Sequence, residues 1–109
     1  MSAKIEYKDK EIRVYLSGEI DHHSASLIRA SIDDTIIHKH PSLLILDFGN
    51  VSFMDSSGIG LVMGRYKLMK NLCGFVIIDN APAAIKKVMR MAGIEKMLSA
   101  ENRKEGSAL

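Results

Sequence analysis

The chain has 109 residues, of which 47% are hydrophobic and 26% are charged, so it has the composition of one globular domain and not of a disordered or fibrous protein. Its net charge is only +2 and its basic residues are mixed with acidic ones, which argues against a nucleic-acid partner. The single cysteine excludes an internal disulfide, and we find neither a signal peptide nor an apolar run of about 18 residues, so we expect a cytoplasmic protein without a membrane partner.

The first predicted elements are a β-hairpin and a helix. Ile5 and Tyr7 alternate with charged residues, and the same alternation resumes after the polar run that follows them. Gly18 is expected to break the second strand. Asp21 is a candidate N-cap for the first helix, whose apolar residues keep helical spacing up to Pro41.

Two further strands and two further helices are predicted in the second half of the chain. Leu43–Leu46, with a strand end near Asp47, and Gly74–Ile78 are continuous apolar runs, typical of strands covered on both faces. A helix over Ser57–Leu72 lies between them, and a third helix follows over Ala83–Met91. The apolar stripe that we expect to hold the middle helix against the sheet consists of Ile59, Val62, Met63, Tyr66 and Met69.

These elements predict a single α/β domain over residues 1–98, with residues 99–109 as a C-terminal tail or short helix. A hairpin followed by strand, helix, strand and helix predicts a mixed sheet of four to five strands with helices packed against it. Right-handed crossovers make the later strands parallel, with their carboxyl ends at one edge. The loops Gly18–Asp21, Asn50–Ser57 and Asp79–Pro82 should then meet at the edge where open α/β sheets bind ligands and partners.

The stretch FMDSSGIG, residues 53–60, lies in the second of these loops, and it fails two tests for an enzyme. A hydrolase nucleophile elbow requires glycine two residues before and two residues after the serine, and neither Ser56 nor Ser57 has both. The chain contains no Gly-Lys-Ser or Gly-Lys-Thr, so it has no P-loop. Three glycines loosely resemble a dinucleotide fingerprint, with Asp79 spaced to hold a ribose, but ten residues separate the expected strand end from Gly58.

Two interpretations of this stretch remain open. In the structural one, Asp55 or Ser56 caps the helix, and Gly60 and Gly64 let the helix backbone approach the sheet. In the functional one, a hydroxyl that capping does not need is the target of a kinase. A phosphoryl group there would bring about −1.5 to −2 charges beside Asp55 and near Asp21. The helix start would tolerate this charge, whereas a partner docked at the edge would be repelled.

The motif and its flanks resemble a known family. The segment LLILDFGNVSFMDSSGIGLVMGRYKLMKN, with GEIDHHSA before it and GFVIIDNAPAAIKKVMRMAGIEKML after it, is similar to the STAS family of anti-sigma factor antagonists over about residues 3–98. The resemblance implies that Ser57, the second serine of Asp-Ser-Ser-Gly, is phosphorylated. It implies that the unphosphorylated form binds an anti-sigma factor that is also a serine kinase, and so frees the sigma factor. Phosphorylation blocks this binding, and a serine phosphatase restores it.

Under this resemblance the chain is not an enzyme and needs no cofactor or metal, because ATP and Mg²⁺ belong to the kinase. The residues that we expect at the partner contact are Asp21, Asp55, Ser56, Ser57, Gly58, Leu61 and Arg65. Leu61 and Leu68 lie off the apolar stripe, beside Arg65, so these two leucines are either exposed or second-layer core residues, or they extend a partner-binding patch along the helix together with the arginine. The alternatives are a STAS interaction or small-ligand module that is never phosphorylated, and a nucleotide-binding or hydrolytic enzyme.

Overall fold

The structure, a computed structural model, describes residues 2–98. Its strands are β1 (Ser2–Lys8), β2 (Glu11–Ile20), β3 (Leu43–Met54) and β4 (Phe75–Asp79), and its helices are α1 (His22–Lys39), α2 (Ser56–Asn71) and α3 (Ala83–Met91). Residues 94–98 form a further short helical segment. The predicted tail, residues 99–109, lies outside the described residues.

The four strands form one mixed sheet in the order β1-β2-β3-β4. β1 is antiparallel to β2, and β2, β3 and β4 are parallel to one another, so the predicted hairpin and parallel strands are confirmed. The hairpin turn consists of Asp9 and Lys10, which both have positive φ, as a two-residue turn that matches the strand twist requires.

The main core lies on one face of this sheet, where α1, α2 and α3 cover it. Alternate residues of β2 and their partners on β3 are almost fully buried, because successive side chains of a strand point to opposite faces. α1 contributes the apolar positions that its spacing predicted. The most buried core residues of these elements include Ile12, Val14, Leu16, Ile28, Ile32, Ile36, Leu44, Leu46 and Phe48.

The two central strands extend further than their sequence predicted. β2 continues through Gly18, which takes a positive φ of 82° beside a shift in strand register, so this glycine marks a bulge and not a strand end. β3 does not end near Asp47 but runs on to Met54, which pairs with Ile20. Because Gly58 then follows β3 by only four residues, the ten-residue separation used against a dinucleotide turn is wrong.

The extension also separates the three loops that we expected to meet. β4 ends at Asp79, which pairs with Asp47. Asp47 lies seven residues before the end of β3, which corresponds to roughly 20 Å along an extended strand. The loop Asp79–Pro82 is therefore far from the starts of α1 and α2, and only the other two loops share an edge.

Candidate functional site

The starts of α1 and α2 are held side by side by the last pair of the β2–β3 ladder. Ile20 pairs with Met54, and the backbone N–H of Asp55 donates to the Ile20 carbonyl at 3.2 Å. Asp21 and Asp55 come directly after these paired residues, and each is the N-cap of its helix. The sheet therefore fixes the distance and orientation between the two helix starts.

At the start of α1, Asp21 and Ser24 form a reciprocal capping box. Asp21 Oδ1 accepts from the Ser24 backbone N–H at 2.9 Å, and Ser24 Oγ accepts from the Asp21 backbone N–H at 2.9 Å. The hydrogen bond from the Ser24 backbone to the Asp21 carboxylate, which favours the charged form, is the main reason that the pKa of Asp21 is lowered. Asp21 is exposed, so its charge is present at the surface as well as in the cap.

At the start of α2, Asp55 is the capping residue. Its Oδ1 accepts from the Ser57 backbone N–H at 2.8 Å, and its backbone carbonyl accepts from the Gly58 N–H at 3.0 Å. Across residues 2–98, the Ser56 and Ser57 hydroxyls make no hydrogen bond. The cap thus needs neither hydroxyl, and the structure leaves both side chains free for another use.

Ser57 lies on the wall of a surface cleft between the two helices. We name this the α1–α2 cleft; it has a volume of about 380 Å³ and is lined by His22, Ala25, Ser26, Arg29, Ser57, Gly60 and Leu61. The first four are spaced i, i+3, i+4 and i+7 on α1 and the last three i, i+3 and i+4 on α2, so each set lies on one stripe of its helix. Ser57 is partly exposed and Ser56 is exposed.

Of the glycines in the motif region, Gly58 is the one that packing requires. It is buried, and a Cβ added to it would overlap Cγ and Sδ of the Met54 side chain. At Gly60 and Gly64 an added Cβ would meet nothing within 4 Å. The expectation that Gly60 and Gly64 let the helix approach the sheet is therefore wrong, and the buried Gly58 supports the motif from beneath instead of presenting a contact surface.

Leu61 and Arg65 also lie inside the molecule. They are 3% and 6% exposed, and Arg65 Nε lies 2.8 Å from Asp33 Oδ1 on α1. The second-layer core interpretation of Leu61 is confirmed, and Leu68 is partly buried against the same core. A partner contact by Leu61 or Arg65 stays a prediction, and their burial does not favour it. They are buried because α2 is rotated relative to the predicted stripe, so that it turns Leu61 and Arg65 toward α1 and leaves Met63 37% exposed.

The ion pair of Arg65 is incomplete. Burial lowers the pKa of the Arg65 guanidinium, the carboxylate of Asp33 raises it, and the nearby cation of Arg29 lowers it. The 2.8 Å approach to Asp33 is not aligned as a hydrogen bond, and Arg65 Nη1 is buried without a partner in the described part of the chain. Within this group two cations, Arg29 and Arg65, therefore share one carboxylate, that of Asp33.

A second polar cluster occupies the place where the dinucleotide hypothesis needed a free carboxylate. Arg13 Nη2 donates to Asp79 at 2.7 Å and Arg13 Nη1 donates to Asp47 at 2.6 Å, while Asn80 Nδ2 donates to the same Asp47 oxygen at 2.9 Å. Asp79 is thus held by Arg13 at the end of β4, far from Gly58. The geometry does not place a ribose-binding carboxylate near the glycines.

Residues 2–98 contain neither a candidate metal site nor a candidate membrane-spanning helix. There, no three or more His, Cys, Asp or Glu side chains are grouped so that they could hold a metal ion. In the same range, no helix combines the length and the apolar character that crossing a bilayer requires.

The model of the family described as STAS domain matches residues 3–106. The chain belongs to the STAS domain family. It is 31% identical over 98 residues to an anti-sigma F factor antagonist of Paenibacillus polymyxa, a match that covers 90% of this chain and 84% of the relative. These anti-sigma factor antagonists are regulatory proteins.

Two solved structures have the same STAS fold. The anti-sigma factor antagonist SpoIIAA in its unphosphorylated form is 31% identical, with a TM-score of 0.80, and the match covers 96% of this chain and 97% of that one. The Bacillus cell fate determinant SpoIIAA in the phosphorylated form is 33% identical, with a TM-score of 0.73, and the match covers 87% of this chain and 86% of that one. The predicted fold class is confirmed by this likeness.

In this STAS domain the seven residues expected at the partner contact separate into two groups. Asp21, Asp55, Ser56 and Ser57 lie together at the surface around the two helix starts, while the other three are buried beneath them. Arg29, which lines the α1–α2 cleft with Ser57, is not among the residues that the sequence predicted for this surface. Its position seven residues after His22 on α1 was the available indication, because that spacing returns to the same face of a helix after two turns.

Proposed function

We propose that this STAS domain is an anti-sigma factor antagonist whose unphosphorylated form binds an anti-sigma factor and so releases the sigma factor. The names of its relatives support this role, and so does the surface formed by Asp21, Asp55, Ser56 and Ser57. The observation that carries the proposal is the Ser57 hydroxyl, which is partly exposed and has no hydrogen bond within residues 2–98 although its neighbour Asp55 caps the helix.

In this proposal the contact is switched off by phosphorylation of Ser57. The anti-sigma factor acts as the serine kinase and supplies ATP and Mg²⁺. The Ser57 Oγ–P bond forms as the bond between the γ-phosphorus and the β–γ bridging oxygen breaks, ADP leaves, and the kinase takes the hydroxyl proton. A separate serine phosphatase hydrolyses the phosphate ester and regenerates the hydroxyl. This chain itself performs no catalytic step, and it acts in the cytoplasm.

The local geometry explains why the switch would change binding and not folding. The Ser57 side chain accepts and donates no hydrogen bond that the helix start needs, because Asp55 already bonds the Ser57 N–H. Adding about −1.5 to −2 charges next to the exposed Asp21 and the cap Asp55 makes this surface strongly negative. A partner that docks closely here meets both the added charge and the bulk of the phosphoryl group.

The proposal is tested by phosphorylation and by binding. The chain is incubated with ATP, Mg²⁺ and the anti-sigma factor of its own cell, and the modified residue is identified by mass spectrometry. We expect one phosphate on Ser57, its loss in Ser57→Ala, and its persistence in Ser56→Ala, which is the matched control because Ser56 lies on the same turn. A phosphate on Ser56 alone, or none on either serine, would contradict the proposal.

Binding is measured by isothermal titration calorimetry with the same anti-sigma factor. Ser57→Asp should fold like the wild type and bind at least about tenfold more weakly, which corresponds to a loss of about 1.4 kcal/mol. Equal affinity of the wild type and Ser57→Asp would reject the repulsion mechanism. Unchanged binding without phosphorylation by any kinase would favour a STAS module that is never phosphorylated.

A further inference from the structure

Arg29 is a cation without an anion. It is exposed on the wall of the α1–α2 cleft, and among residues 2–98 it makes neither an ion pair nor a hydrogen bond. The charged group that it influences is Arg65, which has the same sign, so the two guanidinium groups disfavour each other. Asp33 compensates only one of them, because its carboxylate lies against Arg65. An anion in the cleft would relieve this excess of positive charge.

Two backbone N–H groups at the start of α2 already have acceptors. The Ser57 N–H is already bonded to Asp55 Oδ1 at 2.8 Å, and the Gly58 N–H is bonded to the Asp55 carbonyl at 3.0 Å. A phosphoryl group on Ser57 therefore gains little from these two N–H groups, and side chains are its main further source of donors. The acidic groups nearby, Asp55 and Asp21, can only repel it.

The α1–α2 cleft offers both the room and the donors. Its volume of about 380 Å³ is on the order of ten times the volume of a water molecule in the liquid, so it can admit a phosphoryl group. Arg29 and Ser57 line the same cleft from opposite helices. A guanidinium group presents a planar fork of N–H donors that matches two phosphate oxygens, and the imidazole of His22 on the same stripe carries a further N–H donor.

We propose that Arg29 is the phosphate receptor of this domain: it binds the phosphoryl group of phosphorylated Ser57 within the α1–α2 cleft. This inference rests on the proposed phosphorylation of Ser57. The bidentate ion pair ties α1 to α2, which stabilises the phosphorylated form against unfolding. It also covers part of the phosphoryl group, so that a phosphatase removes it more slowly, while the remaining negative charge still faces a docking partner. Arg29 is thus a positioning residue that sets the lifetime of the switched-off state.

The test places phosphoserine at position 57 by genetic code expansion in the full chain, which makes it independent of any kinase. The wild type, Arg29→Gln, Arg29→Lys and Arg90→Gln are compared, the last being an exposed arginine on α3 that serves as the control for loss of one positive charge. The second pKa of the phosphate is measured by ³¹P NMR titration, and thermal unfolding is recorded with and without the phosphate.

With Arg29 present, we expect the phosphate pKa to lie about 1 unit below that in Arg29→Gln, where it should return to about 6. Phosphoserine should raise the unfolding temperature of the wild type more than that of Arg29→Gln, and a general serine phosphatase should act faster on Arg29→Gln. Arg29→Lys should recover part of each effect, and Arg90→Gln should match the wild type.

Identical ³¹P titration curves for the wild type and Arg29→Gln would overturn the inference. A shift of the phosphate pKa in Arg90→Gln as large as that in Arg29→Gln would overturn it as well. Neither result bears on the proposed function, which depends on phosphorylation by the anti-sigma factor and on binding to it. Conversely, failure of the kinase assay would reject the proposed function while the contact between Arg29 and phosphoserine stood on its own measurement.

Discussion

The three glycines of α2 should respond to alanine in opposite directions. A glycine inside a helix costs about 0.8–1.0 kcal/mol relative to alanine, because its backbone loses more freedom on folding. At Gly60 and Gly64 an added Cβ meets nothing within 4 Å, so each alanine should raise the free energy of unfolding by up to about 1 kcal/mol. For a domain of this size that corresponds to a rise of about 4 °C in the unfolding temperature.

Gly58→Ala should lower stability instead. Its Cβ would overlap the buried Met54 side chain, and forcing extra atoms into a packed interior costs about 1–3 kcal/mol, more than the gain in helix propensity. The three variants are compared by thermal unfolding followed by circular dichroism, and by urea unfolding for the free energies. A loss of stability in Gly60→Ala or Gly64→Ala as large as that in Gly58→Ala would refute the reasoning, because it would mean that these glycines pack against something.

Three further predictions concern charged groups. Asp33→Asn should lower the free energy of unfolding in urea by about 1–3 kcal/mol, because it leaves the buried Arg65 without a counter-charge, and a stability equal to the wild type would show that the pair contributes nothing. Because the pKa of Asp21 is lowered, its carboxylate adds stability above the ordinary aspartate pKa of 3.8, and this stability is lost as the pH falls through the folded-state pKa. Asp21→Asn keeps a capping side chain, so below pH 3.8 its unfolding temperature should fall less than that of the wild type. Parallel curves of unfolding temperature against pH for the two proteins would contradict this. Arg13→Gln should lower the free energy of unfolding in urea by about 1–2 kcal/mol, because Asp47 and Asp79 lose the cation that they share. Lys4→Gln, at an exposed ion pair, is the control and should leave urea unfolding unchanged. Equal effects of the two substitutions would refute a special role for Arg13.

Burial patterns explain why most of the fold could be predicted from the sequence. The alternation around Val14 and the helical spacing of Ile28, Ile32 and Ile36 follow directly from which side of each element faces the core. The cap at Asp21 was equally accessible, because aspartate before an apolar helical pattern accepts the free N–H groups of the first turn. Parallel pairing followed from strands that alternate with helices.

Tertiary pairing explains the features of the fold that the sequence alone did not reveal. The end of β3 is polar and glycine-containing, and it is a strand because β2 extends beside it up to the pair of Ile20 and Met54. The rotation of α2 escaped prediction because arginine is rarely buried, so Arg65 was expected at the partner contact and not between two helices. Its buried position depends on Asp33, which is 32 residues away in sequence and contributes its carboxylate from α1.

The candidate site shows the same division. The residue types of Asp55 and Ser57 were enough to predict a cap and a spare hydroxyl. Whether that hydroxyl is phosphorylated stays a prediction. Arg29 was not predicted, because an arginine on an amphipathic helix is ordinarily solvated, and only the packing of α1 beside α2 brings it to the same cleft as Ser57.

The pairing of Ile20 with Met54 limits how the surface at the two helix starts can change. Both helices begin directly after one rung of a ladder that belongs to the interior of the sheet, so the two starts cannot shift relative to each other without breaking backbone hydrogen bonds. A modification of a side chain at this edge would therefore change the charge and volume of the surface without moving the two helix starts. A partner that binds this edge loses little free energy to the ordering of this protein. It would distinguish the modified from the unmodified protein by electrostatics and volume alone.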